Sequence, residues 1–182
     1  MIRFTAKMNY SEDTVYKLTE MQHRTFQTSQ RLVMIIAAIV SLLFGFRLGF
    51  GSITGILFTF FGCILLTGLN SRPRATAKAF VAELKGKYPL LVYTFSDNGF
   101  SSQEEEKETP YSSIIKLVDD GEYLFIYVST EKAYMIETSS VRSQTGNADF
   151  KEYIAKKASL SWTRPLNLFN FNIKALKGMI RK

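Results

Sequence analysis

Between Leu32 and Leu69 the chain runs for 38 residues with one charged side chain, Arg47. A bilayer core about 30 Å thick takes about 20 apolar residues as helix, so this run is too long for one crossing and suits two. The break falls at Phe46-Arg47-Leu48-Gly49-Phe50-Gly51-Ser52, where a charge meets two glycines. The expected spans are 31–47 and 51–69. The first is short, so Arg47 is expected to reach toward the interface along its own apolar stem. Two buried helices of a soluble core would also be apolar, but uncharged runs of this length favour spans. A cleaved leader is not expected, because the run begins only after some 31 mostly polar residues.

Basic residues flank the run. Arg24 and Arg31 precede it, and Arg72, Arg74 and Lys78 follow it, while the turn holds Arg47 alone. Positive charge is retained on the cytoplasmic side, so the sequence predicts a multi-pass cell-membrane protein with both termini cytoplasmic. Small residues recur every four positions at Ala37, Ser41 and Gly45, and again at Gly51, Gly55 and Thr59. Such faces let helices approach closely. A hairpin turning near residue 48 would pair Gly45 with Gly51, Ser41 with Gly55 and Ala37 with Thr59.

The remaining residues suffice for one modest soluble domain. Its charge is uneven. Residues 90–158 hold 7 Lys+Arg against 12 Asp+Glu, whereas the rest of the chain holds 16 against 4. Basic charge beside the spans suits an anionic membrane surface, so Arg31, Arg47, Arg72 and Arg74 are the candidate membrane-interface residues. Nucleic acid is not an expected partner, since that would need the basic patch on the folded domain itself. The one cysteine, Cys63, lies in the second span and is expected to pack there; it leaves no disulfide framework or thiolate metal site. His23 is the one histidine and reads as an exposed helix residue, without a second histidine for a metal pair or a nucleophile motif beside it.

In chain order, Ile2–Met8 alternates as a half-buried strand. Asn9 or Ser11 can cap a helix over about 12–30, with Glu12 and Asp13 in its first turn. Together these make an N-terminal segment, 1–30, whose strand joins the later sheet domain. The hairpin occupies 31–70. A juxtamembrane helix follows within 71–89, with Ala77, Phe80, Val81 and Leu84 on one face and Gly86 and Pro89 as stops. From Leu90 the period becomes that of strands. Strands are expected at 90–96, 100–103, 109–118, 122–129 and 133–137, joined by short turns into one antiparallel meander. The strand 122–129 is apolar on both faces and is placed centrally. Glu104–Glu108 is read as a solvated edge, since calcium-loop spacing is lacking. Loop 139–147 leads to a helix at about 148–158, capped by Asn147. The tail, 159–182, carries five basic residues and no acidic one. Its stripe of Leu166, Phe169, Ile173, Leu176 and Ile180 leaves Lys174, Lys177 and Arg181 to the other side. That is the pattern of a cationic interfacial helix or of a helix packed on the sheet.

The fold class is therefore an α+β membrane protein: a two-helix transmembrane hairpin plus a small antiparallel β-sheet domain closed by a helix. This order of elements resembles the YcxB-like family of bacterial membrane proteins. The resemblance is carried by VYTFSDNGF (92–100), Pro110–Lys116, Tyr123–Tyr127 and the helix Phe150–Lys157. It departs where the family's Ile-Pro-Lys-like turn is replaced by Met135-Ile136-Glu137-Thr138. The resemblance implies a PH-like cytoplasmic domain and brings no catalytic residues. No cofactor motif is present, and an enzyme is not expected. The expected role is a membrane-anchored binding or scaffolding module. Its partners would be membrane lipid and a protein or peptide, and homo-oligomerisation is compatible with the hairpin. An immunity-type protein acting against a toxin is the alternative. A pore is disfavoured, because only Arg47 is ionisable within the run.

Overall fold

The computed structural model describes residues 1–69, 71–105, 107–144 and 149–165. The chain forms two compact units: Met1–Met8 with Leu90 onward, and Asn9–Pro89. The first is an α+β unit of two sheets, and the second is all helix. The tail residues Leu166, Phe169, Ile173, Lys174, Leu176, Lys177, Ile180 and Arg181, and the expected cap Asn147, lie outside the described residues.

In the sheet unit, β1 (Ile2–Asn9) buries Phe4, Ala6 and Met8 on one face, as the alternation requires. It sits between β2 (Leu90–Ser96) and β8 (Arg142–Ser143) in a five-stranded sheet of order β4-β3-β2-β1-β8. Strand β3 (Gly99–Ser102) returns antiparallel to β2, with Phe95 opposite Phe100. Ser96 Oγ accepts the turn N–H groups of Asn98 and Gly99 at 3.1 and 3.3 Å. Gly99 sits against the Thr109 carbonyl, where a Cβ would collide.

The expected strand 109–118 is not continuous. It divides into β4 (Thr109–Pro110) and β5 (Lys116–Asp119) around a 3-10 turn at Tyr111–Ser113. Pro110 donates no backbone bond, and Ser113 Oγ bonds back to the Pro110 carbonyl at 2.7 Å. Local side-chain bonds of this kind compete with a ladder. The chain thereby changes sheets at the corner. Strand β5 opens a second sheet with β6 (Tyr123–Tyr127), β7 (Ala133–Glu137) and β9 (Trp162–Thr163), in the order β7-β6-β5-β9. One meander thus becomes two sheets. The expected loop 139–147 contains a 3-10 turn and β8, and β9 pairs parallel to β5 within the expected tail. Strand β6 is central in its sheet and buries Leu124 through Tyr127 on both faces.

Aromatic side chains fill the core. Phe100 and Tyr134 join the two sheets edge to face at 4.9 Å, and Phe95 meets Phe150 at the same distance. Such pairs add about 0.5–1.5 kcal/mol beyond area burial. Phe150 belongs to α5 (Phe150–Ala158), which Asp149 caps by accepting the Lys151 and Glu152 N–H groups. The hydroxyls of Tyr111 and Tyr153 both donate to the Ser96 carbonyl, at 2.8 and 2.7 Å.

Asp119 ties α5 to β5. It is 6% exposed, accepts from Lys151 Nζ at 2.7 Å, and accepts from the Gly121 N–H at 2.8 Å. Burial pushes its pKa up, but the Lys151 ammonium and the Gly121 N–H outweigh that, so the carboxyl lies below the ordinary aspartate range. A depressed carboxylate contributes stability in full above its unfolded value of about 3.9, and that contribution is lost as pH falls through the lower folded value. Asp119→Asn is expected to destabilise the unit by about 1–3 kcal/mol at neutral pH and to flatten the acid limb of its stability profile. The fluorescence of Trp162, the one tryptophan, reports this directly, because its indole N–H donates to the Lys151 carbonyl at 2.8 Å.

Candidate functional site

The helical unit begins with α1 (Glu12–Phe26). Ser11 caps it in a reciprocal box with Thr14: Ser11 Oγ accepts the Thr14 N–H at 3.3 Å, and Thr14 Oγ1 accepts the Ser11 N–H at 2.8 Å. The chain breaks at Gln27 and continues as α2 (Thr28–Leu48), so the expected helix to residue 30 ends earlier. After α2 come α3 (Ile53–Gly68) and α4 (Ser71–Leu84). In α4 the buried positions are Pro73 and Ala77, with Val81 and Leu84 half-buried and Phe80 exposed. Lys85 and Gly86, both at positive φ, stop it. The unit's two ends are tied by the Tyr10 N–H, which donates to the Pro89 carbonyl at 3.2 Å.

Helix α2 and the α3–α4 segment are each long and apolar enough to cross a membrane. At 21 residues α2 extends about 32 Å, which matches a hydrocarbon core. Among the described residues, 18 of the 23 large apolar side chains that are exposed lie between Leu32 and Leu66. Water-facing surfaces of single soluble chains seldom carry so continuous an apolar patch.

The two helices meet through small residues, in a different register from the one expected. The buried positions are Ala38, Ser41 and Gly45 on α2, and Gly55 and Gly62 on α3. A Cβ at Gly45 would strike Thr59 and come within 3.1 Å of the Gly55 carbonyl. Gly45 therefore faces Gly55 and Thr59, and not Gly51, which has nothing within 4 Å of its Cβ position. Gly62 meets Leu42 and the Ala38 carbonyl, whereas Ala37 is exposed. The turn explains the shift. Helix α2 runs to Leu48, Gly49 ends it at φ 73°, and the chain needs Gly49 through Ser52 to reverse. Ser52 Oγ then caps α3 by accepting the Gly55 N–H at 3.0 Å. Gly55 lies against the Gly49 carbonyl, leaving no room for a side chain. Cys63 is exposed on α3 and not packed between the helices.

Of the expected interface residues, Arg47 is exposed in the last turn of α2 and Arg31 is half-buried near its start. Arg74 is exposed and lines a cleft with Tyr16, Glu20 and Pro73. Arg72 belongs to α4, and its side chain lies outside what the structure describes. His23 is half-buried beside Arg31, not fully exposed.

The sheet unit has its own groove, about 670 Å³, lined by Glu105, Lys107, Glu108, Thr109, Pro110, Ser113, Val128, Lys132 and Tyr134. It runs between β4 and β7, the end strands of their sheets. Glu105 holds its rim, accepting from Lys132 Nζ at 2.6 Å and from the Tyr134 hydroxyl at 2.8 Å. Lys132 Nζ also lies 5.2 Å from the Tyr134 ring centre. The sequence places Glu104–Glu108 at a solvated edge and 133–137 as the last strand, but it carries no signal for the meeting of Glu105 with Lys132 and Tyr134. Among the described residues, no group of three or more His, Cys, Asp or Glu is placed to hold a metal. The chain matches no family model, no characterised protein and no solved structure.

The glycine contacts make a direct prediction. Gly45→Leu overpacks the helix pair and is expected to cost about 1–3 kcal/mol, read as earlier loss of helicity on heating in detergent. Gly51→Ala, at an open position, leaves that melt unchanged.

Proposed function

We propose that this chain is a membrane-anchored binding module, with α2 and the α3 segment crossing the cell membrane as a hairpin and both termini in the cytoplasm. The observation that carries the reading is the continuous apolar surface of Leu32–Leu66 on a helix pair inserted between two neighbouring strands of one sheet. A protein with this surface needs an apolar solvent for it. Arginines at the paired ends of the hairpin favour the cytoplasmic side for those ends. The same order of elements supports membership of the YcxB-like class, with the sheet unit as its PH-like domain.

The groove between β4 and β7 is the surface on which this module takes a protein or peptide. Open strand edges supply backbone hydrogen bonds to an extended segment, and Lys107, Ser113 and the Lys132–Glu105 rim supply side-chain selectivity. The role is binding, and no step of covalent chemistry is part of it.

Two measurements test the reading. A fluorescent reporter that matures only in the cytoplasm should be active at either terminus, and a phosphatase that works only outside should be silent at both. Activity outside at either end refutes the topology. Affinity capture with full-length protein in mild detergent should recover a partner whose yield falls when Lys107 and Ser113 are changed to Ala. Equal yield from the variant removes the groove from the account.

A further inference from the structure

Strand β9 ends the second sheet, and its hold there is short. It pairs parallel to β5 over two positions, Leu117 with Trp162 and Val118 with Thr163. Two side-chain bonds add to that ladder: the Trp162 indole N–H donates to the Lys151 carbonyl and the Thr163 hydroxyl to the Leu117 carbonyl, each at 2.8 Å. Trp162 is half-buried and Thr163 is exposed. We propose that two copies of this chain pair by exchanging β9, each seating it on the β5 edge of the other.

The connection from α5 to β9 is built as a hinge. Ser159, Leu160 and Ser161 alone separate Ala158 from Trp162. The chain reverses there because Ser159 adopts φ 54° and ψ 36°, and the Leu160 N–H then closes the helix end by donating to the Ala155 carbonyl at 3.0 Å. Glycine is the usual residue at such a stop, since a Cβ is disfavoured in the left-handed region. Among the described residues, Ser159 and Lys85 are the non-glycine residues at positive φ. The sequence from Phe150 to Arg164 holds neither glycine nor proline, and Pro165 follows it. With Ser159 returned to the right-handed region, α5 can run on through the hinge and carry β9 off its own β5.

A β5 edge without β9 presents unpaired backbone groups, which are a template for another strand. The strand that fits is already specified, because the β9 of a second copy has the sequence and register of the one that left. The exchange therefore conserves the two-position ladder, the indole bond to Lys151 and the hydroxyl bond to Leu117, each remade between copies. What differs is the hinge, where two left-handed serines become helical. That relief works against the cost of bringing two copies together. Exchange of one identical element is a low-cost route to a twofold dimer, and short hinges under strain invite it. The inference does not depend on where the helical hairpin lies.

The test is photo-crosslinking of full-length protein in mild detergent, with Thr163→benzoylphenylalanine as the probe and isotopically heavy and light copies mixed. The probe stands beside Val118 in either form, so a closed chain links to itself and an exchanged pair gives a covalent dimer. The Thr163 hydroxyl bond is lost equally from both forms. The expected result is a dimer that increases with protein concentration, with position 163 of one copy linked to β5 of the other. On the same background Ser159→Gly should lower the dimerisation constant roughly thirtyfold, the effect of removing the left-handed penalty from two hinges. Ser159→Ala, which keeps that penalty and favours a continued helix, should raise it. Trp162 fluorescence checks that each variant is folded. Crosslinking confined to the single chain at every concentration overturns the exchange. So does a dimerisation constant unmoved by Ser159→Gly, or a link between copies that maps away from β5.

Discussion

The close approach of α2 and α3 is the constraint on which the rest of the chain depends. Gly45 against Gly55 and Thr59, and Gly62 against Ala38 and Leu42, let two largely featureless apolar helices pack at one register. Larger residues at these points would hold the helices apart, and dispersion falls steeply with such a gap. The turn at Gly49–Ser52 sets that register, because Ser52 closes the first turn of α3 while Gly55 tucks under the Gly49 carbonyl. A hairpin that returns to its starting end brings the chain back where it left. The strands β1 and β2, separated in sequence by residues 10–89, can then be neighbours in one sheet.

The sheet unit is stabilised differently. Its two sheets are joined by aromatic edges, chiefly Phe100 with Tyr134 and the group of Phe4, Phe95 and Phe150 under α5. Polar ties are few and specific. Asp119 fixes α5 to β5, and the Ser96 carbonyl receives the hydroxyls of both Tyr111 and Tyr153. Asp97 pairs with Arg3 at 2.9 Å, tying the first strand to the turn after β2. That carboxyl lies below the ordinary range, chiefly through its hydrogen bond from Arg3. Its exposure makes it a device for register more than for stability.

The apolar run, the two helices and the strand pattern after Leu90 were legible because each is a periodicity of one segment. So was β6, whose two apolar faces require cover on both sides. What the sequence did not disclose depended on meetings between segments. The helix register differs from the expected one by more than a turn along α3, with Gly45 against Gly55 and Thr59 and not Gly51, because only the length of the reversal decides which residues meet. The break at Tyr111–Ser113 was concealed by the apolar run beyond it, although Pro110 and two serines were the chemistry of a corner. Strands β8 and β9, two residues each, carry no periodicity at all.

Two helices here are long and apolar enough to cross a membrane, and we propose that the Leu32–Leu69 hairpin lies in a bilayer while the strands on either side of it in the chain share one sheet. Cys63, the one cysteine and exposed on α3, is a natural position for a spin label. The labelled full-length protein, reconstituted in liposomes, should have its label relaxed by dissolved oxygen and shielded from a water-soluble nickel chelate. A label relaxed chiefly by the nickel chelate would place α3 in water and contradict the account.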